Sequence, residues 1–278
     1  MPDDIYQPYF LPVLNPVHES YAFSNKGLYG LYFNDVLRPK ELVRNIRGCF
    51  FDSRNNICSE TEAIDIILSC KDKILIKPSI DTSCGRNVQL LNNSSYDIIK
   101  DSFNQYSENF VCQELVCQSN QTAMFNPSSL NTFRITTLFL NGKFSILSSV
   151  FRCGSPGAIV DNAGAGGIMV GVSLDGSFRE YGYNRKGEVC KSSYNGFVFS
   201  GTKIQAFPEI IDLCKRLHTK LPFCAMVGWD IALNKDNRPM LLEVNLKCPE
   251  IFIQQMCNGP IFGDRLEEVI RYVSFRIN

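Results

Sequence analysis

The spacing of apolar positions changes character near residue 118. Upstream, "ETEAIDIILSCKD" (60–72) places Ala63, Ile66, Ile67 and Cys70 on one face of a helix, and "KILIKP" gives a short apolar strand halted by Pro78. "SYDIIKDSFNQYS" (95–107) is a second amphipathic helix, followed by "NFVCQELV" (109–116), a second strand. Helix, strand, helix, strand predicts a compact α+β lobe over residues 42–117. Residues 1–24, rich in proline and aromatics, predict an ordered arm on the body of the molecule. With the first lysine segment, the arm region runs over 1–41.

Beyond Gln118 the texture is β-rich. "TFRITTLFLNGKFSILSSVFRC" holds two strand-like runs around Asn141-Gly142, a strong hairpin signal, and "GGIMVGVSLDGSFREYGY" repeats the device around Asp175-Gly176. "MVGWDIAL" and "PMLLEVN", joined by the turn-rich "NKDNR", form a third antiparallel pair. A second lobe over 118–278 is therefore expected to be built on an antiparallel sheet. Two helices accompany it, with Ile210, Leu213, Leu217 and Leu266, Val269, Ile270, Val273 as their buried stripes.

Composition narrows the class. The 278 residues are 45% hydrophobic and 20% charged, enough for a sizeable core, and 28 basic residues balance 28 acidic ones. No net field recruits nucleic acid or anionic lipid. Twelve cysteines are scattered without a C-x-x-C pair or a metal-like spacing to the two histidines, which reads as reduced thiols. The proline- and acid-bearing N-terminus lacks a signal-peptide pattern, and no apolar run approaches the roughly 20 residues of a membrane span. The expectation is a cytoplasmic protein without an integral membrane segment.

"PMLLEVNLKCP" raises the chemical question, because Glu243 and Asn245 interrupt an apolar strand and leave it on the same face. Folding the hairpin about 234–238 brings Asp230 opposite or diagonal to Glu243. Two carboxylates and an amide oxygen suit Mg²⁺, which takes few protein ligands and completes its shell with phosphate and water. Pairing of Glu243 with Lys247, with Asp230 capping a turn, is the alternative. Arg134 and Arg152 lie on the two strands of the Asn141-Gly142 hairpin, and symmetric counting sets 134 opposite 149. Two arginines at one sheet edge suit a phosphoryl group, since fixed cations stabilise its developing charge. Arginine stems covering apolar surface would explain them as well.

"GWDIALNKDNRPMLLEVN", with thirteen residues from Asp230 to Glu243, resembles the metal-binding hairpin of ATP-grasp ligases. The resemblance implies two α+β lobes with the nucleotide between them, and Asp230, Glu243 and Asn245 as ligands of Mg²⁺ or Mn²⁺. "ILIKPSIDTSCGRNVQLL" resembles the family's strand-end lysine and phosphate loop, which implies that Lys77, Thr82, Ser83 and Gly85 contact the phosphates of ATP. Lys26 in "SNKG" matches the earlier phosphate lysine, with Asn in place of the usual Asp before it. "FVCQELVCQ" resembles the adenine hinge: Gln113, Glu114 and Val116 at the base, Gln118 toward the ribose, where relatives often carry an acid. Arg134, Arg152 and Asn162, followed by the Gly-rich "DNAGAGG", follow the order seen in ribosomal-protein glutamate ligases. "SLNTFRI", "VDNAGAGG" and "GWDIA" are closer still to ATP-grasp proteins of polysaccharide and sugar-transfer loci.

The resemblance implies an ADP-forming carboxylate–amine ligase working through an acyl-phosphate in polysaccharide or surface-glycan modification. Its substrates would be a small-molecule or glycan carboxylate and an amine donor. A small-molecule kinase on the same fold, and a catalytically idle nucleotide-binding subunit of a glycan-assembly complex, are the alternatives. Most ATP-grasp ligases have a preceding Rossmann-like domain and this chain shows a short arm instead. Relatives of this type then dispense with it, or another chain, such as a glycosyltransferase partner or a second copy, supplies it. "YNRKGEVCKSSYNGFVFSG" (183–201), with Lys186 and Lys191 as candidates for binding an acidic sugar or peptide carboxylate, reads as an acceptor loop, with an ordinary solvated loop as the alternative.

Overall fold

A computed structural model describes residues 1–80, 87–91, 94–158, 166–247 and 249–277. The fold is mixed α/β with two antiparallel sheets, and contacts divide the chain into Asn25–Val116 and a larger unit of Met1–Ser24 with Cys117–Asn278. Residues 25–41, grouped with the arm on sequence grounds, thus belong to the smaller unit.

In the smaller unit β1 (Glu41–Ile46), β2 (Cys49–Asp52) and β3 (Ile57–Cys58) precede α1 (Glu60–Ser69); β4 (Ile74–Pro78), β5 (Gln89–Leu90), α2 (Tyr96–Tyr106) and β6 (Phe110–Glu114) follow. The sheet order is β3-β2-β1-β6-β4-β5. Ser59 starts α1 with a reciprocal capping box to Glu62, and the Ser95 hydroxyl accepts the Ile98 N–H at the start of α2. Both helices cover one sheet face, where Ala63, Ile64, Ile67, Ile99 and Phe103 meet Ile74, Ile76, Phe110 and Cys112. Strand alternation then puts Leu75, Lys77, Val111 and Gln113 on the opposite face.

The larger unit contains β7 (Thr132–Leu140), β8 (Lys143–Cys153), β9 (Ile168–Val172), β10 (Phe178–Tyr183), β11 (Val189–Cys190), α3 (Phe207–His218), β12 (Met226–Leu233), β13 (Pro239–Asn245), α4 (Ile251–Asn258) and α5 (Leu266–Ile277). Its sheet runs β11-β10-β9-β8-β7-β12-β13. The β7–β8 turn is tight because Asn141 and Gly142 both take positive φ, 50° and 74°. A bulge between Thr136 and Thr137 then shifts the pairing by one, so Arg134 faces Val150 and not the Ser149 given by symmetric counting. β12 is interior, paired with β7 on one side and β13 on the other, and all eight of its residues are buried.

α3 packs on one face of this sheet, bringing Phe207 against Phe133 and His218 against Trp229. On the other face, Ile253 and Cys257 of α4 pack with Val150 and Met169. The N-terminal arm contributes Tyr6, Phe10, Leu11 and Leu14 to a core with Leu138, Met226, Phe262, Val269 and Val273. Asn15 fastens it: Nδ2 donates to the carbonyls of Met226 (2.6 Å) and Leu246 (2.9 Å), and Oδ1 accepts the Met226 N–H. α5 reaches that core through Val269 and Val273, with the partly buried Tyr272 packed against it. Leu266 and Ile270, expected in the same stripe, are 39% and 42% exposed because the face of α5 turned to the core runs through Val269, Tyr272 and Val273.

Candidate functional site

The register of four strands aligns the charged residues. Thr132 lies opposite Arg152, Arg134 opposite Asp230, and Asp230 opposite Glu243, while Gly228 lies opposite Asn245. Alternation therefore sends Arg152, Thr132, Arg134, Asp230, Glu243 and Asn245 to one face, and Trp229, Ile135 and Phe133 to the other. Of the two arrangements left open for Asp230 and Glu243, the direct one holds. The Asp230–Ile231 bulge falls immediately after this pair.

Asp230 is 6% exposed and bound by both arginines. Arg134 closes on it with Nε to Oδ1 and Nη2 to Oδ2, the latter at 3.0 Å, and Arg152 Nη2 lies 3.1 Å from Oδ2. Burial alone would raise the Asp230 pKa, but the two guanidiniums and their hydrogen bonds outweigh it and hold the carboxyl below its usual range. For Arg134 burial opposes the charge, and the carboxylates of Asp230, Glu250 and Glu243 restore it and push the pKa up. Thr132 orients Arg152 by accepting from Nε at 3.0 Å and Nη2 at 2.6 Å. Thr132 and Glu250 were not singled out from the sequence. Thr132 shared a strand face with Arg134 and was legible in principle, whereas Glu250 arrives from a loop with no periodicity.

The donor set at Asp230, Glu243 and Asn245 contains only oxygen, the chemistry a hard divalent cation requires. Asn245 Nδ2 donates to the Gly228 carbonyl at 3.3 Å, which leaves Oδ1 as the acceptor end of the amide. Each carboxylate oxygen has two lone-pair sites, so the arginines do not exhaust Asp230. These residues fit Mg²⁺. Lys247, the alternative partner for Glu243, stands 3.9 Å above the Tyr21 ring. Among the described residues, the group of three or more His, Cys, Asp or Glu side chains whose potential ligand atoms all lie within 4.8 Å of one another is Cys70, Asp72 and Glu114. There the Lys40 ammonium, 2.5 Å from Glu114 Oε1, already supplies the positive charge.

In the smaller unit Lys26 is buried, and its N–H donates to the Ser79 carbonyl at 2.8 Å, just past the end of β4. Asn25 caps that turn through the Gly27 N–H. Lys77 lies opposite Val111, on the face away from the helices. Glu41 shares that face; burial raises its pKa, against the lowering effect of Arg38, Arg44 and Lys77. Gln113 is buried opposite Leu75 and Glu41, and Glu114 gives its N–H to the Lys40 carbonyl and its carboxylate to the Lys40 ammonium. Val116 lies beyond the strand ladder.

Gln118, expected toward the ribose, is hydrogen-bonded within its own unit. Its Nε2 donates to the carbonyls of Asn126 (3.0 Å) and Ser129 (2.6 Å), and its Oε1 accepts from Asn131 N, Asn131 Nδ2 and Thr122 Oγ1. Both donors and the acceptor of this amide are thus engaged locally, which tethers the segment to the 122–131 loop. Thr82, Ser83, Gly85, Cys84 and Asn162, with Asp161 and Gly164 of the glycine run, lie outside the described residues. Cys112 is buried, and burial pushes its thiol pKa up, as expected of an inert packing group. In the expected acceptor loop Lys186 is exposed, Lys191 Nζ is 6.0 Å from the Tyr181 ring centroid, and Tyr194 Oη donates to the Gly166 carbonyl at 2.8 Å.

A family model described as sugar-transfer associated ATP-grasp matches residues 14–271. No curated protein matches the chain. Among solved structures, D-alanyl-alanine synthetase A from Vibrio cholerae is 13% identical with a TM-score of 0.55, covering 92% of this chain and 67% of its own. The ATP-grasp ligase PsnB, solved with a phosphomimetic variant of its minimal precursor, Mg and ADP, is 15% identical with a TM-score of 0.52, covering 94% and 61%. An L-amino acid ligase from Bacillus licheniformis is 11% identical with a TM-score of 0.49, covering 87% and 44%. The chain thus spans from 44% to 67% of the length of these structures. No helix among the described residues is long and apolar enough to cross a membrane.

Proposed function

Because the chain belongs to the sugar-transfer associated ATP-grasp family, we propose that it is an ADP-forming ligase that joins a carboxylate to an amine on a glycan or its precursor. The observation that carries this reading is the row Arg152, Arg134, Asp230, Glu243 on one sheet face, with Asn245 beside it. A carboxylate oxygen of the acid substrate attacks the γ-phosphorus of ATP, the bond to the β-phosphate oxygen breaks, and ADP leaves. The amine nitrogen then attacks the acyl carbon of the resulting acyl-phosphate, inorganic phosphate departs, and the nitrogen loses a proton. Neither step requires a protein nucleophile; positioning and charge suffice.

Arg134 and Arg152 stabilise the negative oxygens of the transferring phosphoryl group, and Asp230 fixes both guanidiniums against the sheet. Glu243, Asn245 and Asp230 would hold Mg²⁺, with Mn²⁺ as a substitute. The ion would neutralise phosphate charge and orient the chain of phosphates. Lys26 and Lys77 bind phosphate oxygens, with Ser83 and Gly85 in the intervening loop. Gln113, Glu114 and Val116 face the adenine, and Asn162 assists the acyl-phosphate. The 183–201 loop, with Lys186 and Lys191, takes the acid substrate. The protein works in the cytoplasm, where ATP is supplied, and a glycosyltransferase or a second copy completes the substrate site.

Hydroxylamine tests the reaction class, since it converts acyl-phosphates to hydroxamates and leaves phosphate esters intact. ADP release with hydroxamate formation, dependent on an added sugar acid or amino acid, is the expected result. ADP release with a stable phosphate ester would make the protein a kinase.

A further inference from the structure

Glu250 is held in an unusual way. It follows Pro249 at the N-terminus of α4 with φ 49° and ψ 95°, a conformation that residues with a Cβ disfavour. Glutamate is not among the preferred N-cap residues, and its side chain makes no cap hydrogen bond, so helix capping does not explain it. A glycine would take this backbone freely.

The side chain instead addresses Arg134. The Nε/Nη2 edge of that guanidinium is closed by Asp230, and Glu250 Oε2 stands 3.7 Å from Nη1. That distance is too long for a direct hydrogen bond, and the Glu250 side chain is 46% exposed against 8% for Arg134. The carboxylate therefore lies loosely over the one edge of Arg134 that Asp230 leaves open. The returning chain lies against the sheet here, at ordinary contact distance: a Cβ at Gly228 would lie 3.4 Å from the Pro249 Cα and 3.5 Å from Arg134 Cδ.

Charge gives the arrangement a consequence. Asp230 is shared by Arg134 and Arg152, and Glu243 adds negative charge at Arg134, so an anion that takes the open edge of Arg134 does so by displacing the Glu250 carboxylate that lies over it. A monoanion exchanges one negative charge for another and gains nothing. A phosphoryl dianion brings one charge more than it removes.

We propose that Glu250 is a specificity-determining residue of this seat, a displaceable carboxylate that admits phosphoryl dianions to Arg134 and turns monoanions away. The proposal rests on reading Arg134 as the phosphoryl seat. It makes an acid substrate wait for its phosphate before it can engage this edge.

The test is thermal unfolding of the full chain at pH 8 in sodium phosphate and in sodium acetate of matched ionic strength. Wild type and two variants, Glu250→Gln and Glu250→Gly, are compared. In wild type, phosphate raises Tm and acetate does not. In both variants acetate raises Tm as well, and the phosphate concentration giving half the shift falls by about tenfold, the effect of about 1.4 kcal/mol. The glycine variant relieves the backbone and guards against a folding defect in the other. Unchanged responses to both anions in both variants would overturn the role of Glu250 while leaving the seat intact. No response to phosphate in any of the three proteins would overturn the seat itself, and with it the reading on which the proposal rests.

Discussion

Asp230 is the partner shared by both arginines, so its loss should cost more than the loss of any one contact. Asp230→Asn leaves Arg134 and Arg152 buried without the carboxylate they share, and removing one member of a buried ion pair typically costs about 3–5 kcal/mol. Urea unfolding is expected to show a loss of that order, and a loss below about 1 kcal/mol would mean the cluster relaxes or is hydrated. His218 gives a separate pH signature. Burial lowers its pKa to about 4, against the raising effect of its hydrogen bond to the Cys224 carbonyl at 2.9 Å. The unfolded chain, with a histidine near the ordinary 6.5, takes up a proton that the folded chain refuses between those values. Stability is therefore complete above about pH 6.5 and falls as pH drops toward 4, by up to about 1.4 kcal/mol per pH unit. Asp230, whose pKa is lowered, loses its contribution only below the ordinary carboxylate range. His218→Gln should flatten the pH 4.5–6.5 slope of the urea midpoint; an unchanged slope would assign it to other groups. The acids and arginines were legible because each breaks an apolar strand pattern. The engagement of the Gln118 amide by Asn126, Ser129 and Asn131 was not legible, because it depends on a loop that sequence spacing does not reveal.

At the scale of elements, α4 matters because it carries Glu250 at its start and packs on the sheet near Arg134. Gly171 on β9 makes that packing close. A Cβ there would meet Asn258 Oδ1 at 2.4 Å, Arg179 Cγ at 2.8 Å and the Cys257 carbonyl oxygen at 2.8 Å. The last is backbone and cannot swing away, so Gly171→Ala is expected to cost about 1–3 kcal/mol and to loosen α4. Hydrogen exchange of the Ile251–Asn258 amides checks the locality of the effect, and protection unchanged from wild type would contradict it. The hairpins were readable because Asn-Gly and Asp-Gly fix the turn locally. β1 was missed because Arg44 and Asn45 are buried in it and break the apolar pattern, and β2 (Cys49–Asp52) and β3 (Ile57–Cys58) are too short to show a period. The β7–β12 pairing was also hidden: it joins segments nearly a hundred residues apart, as Arg134 and Asp230 illustrate, and no local signal encodes it. The one-residue error at Arg134 came from a bulge, which symmetric counting from a turn does not register.

For the whole molecule, the family match over 14–271 and the two antiparallel sheets agree with the fold anticipated from the hairpin around Asp230 and Glu243. The fold could be anticipated because long, periodic segments and glycine turns dominate it. The substrates were not readable, because they depend on side chains such as Lys186 and Lys191 whose exposure alone names no ligand. The central claim is that Asp230, Glu243 and Asn245 form a metal–nucleotide site. Its most direct test is calorimetric titration of ADP into the protein with and without Mg²⁺, in wild type and Glu243→Ala. Tighter binding with Mg²⁺ in wild type, and loss of most of that gain in Glu243→Ala with metal-free binding retained, is the result expected. An equal Mg²⁺ dependence in the two proteins, or no binding of ADP in either condition, would contradict it.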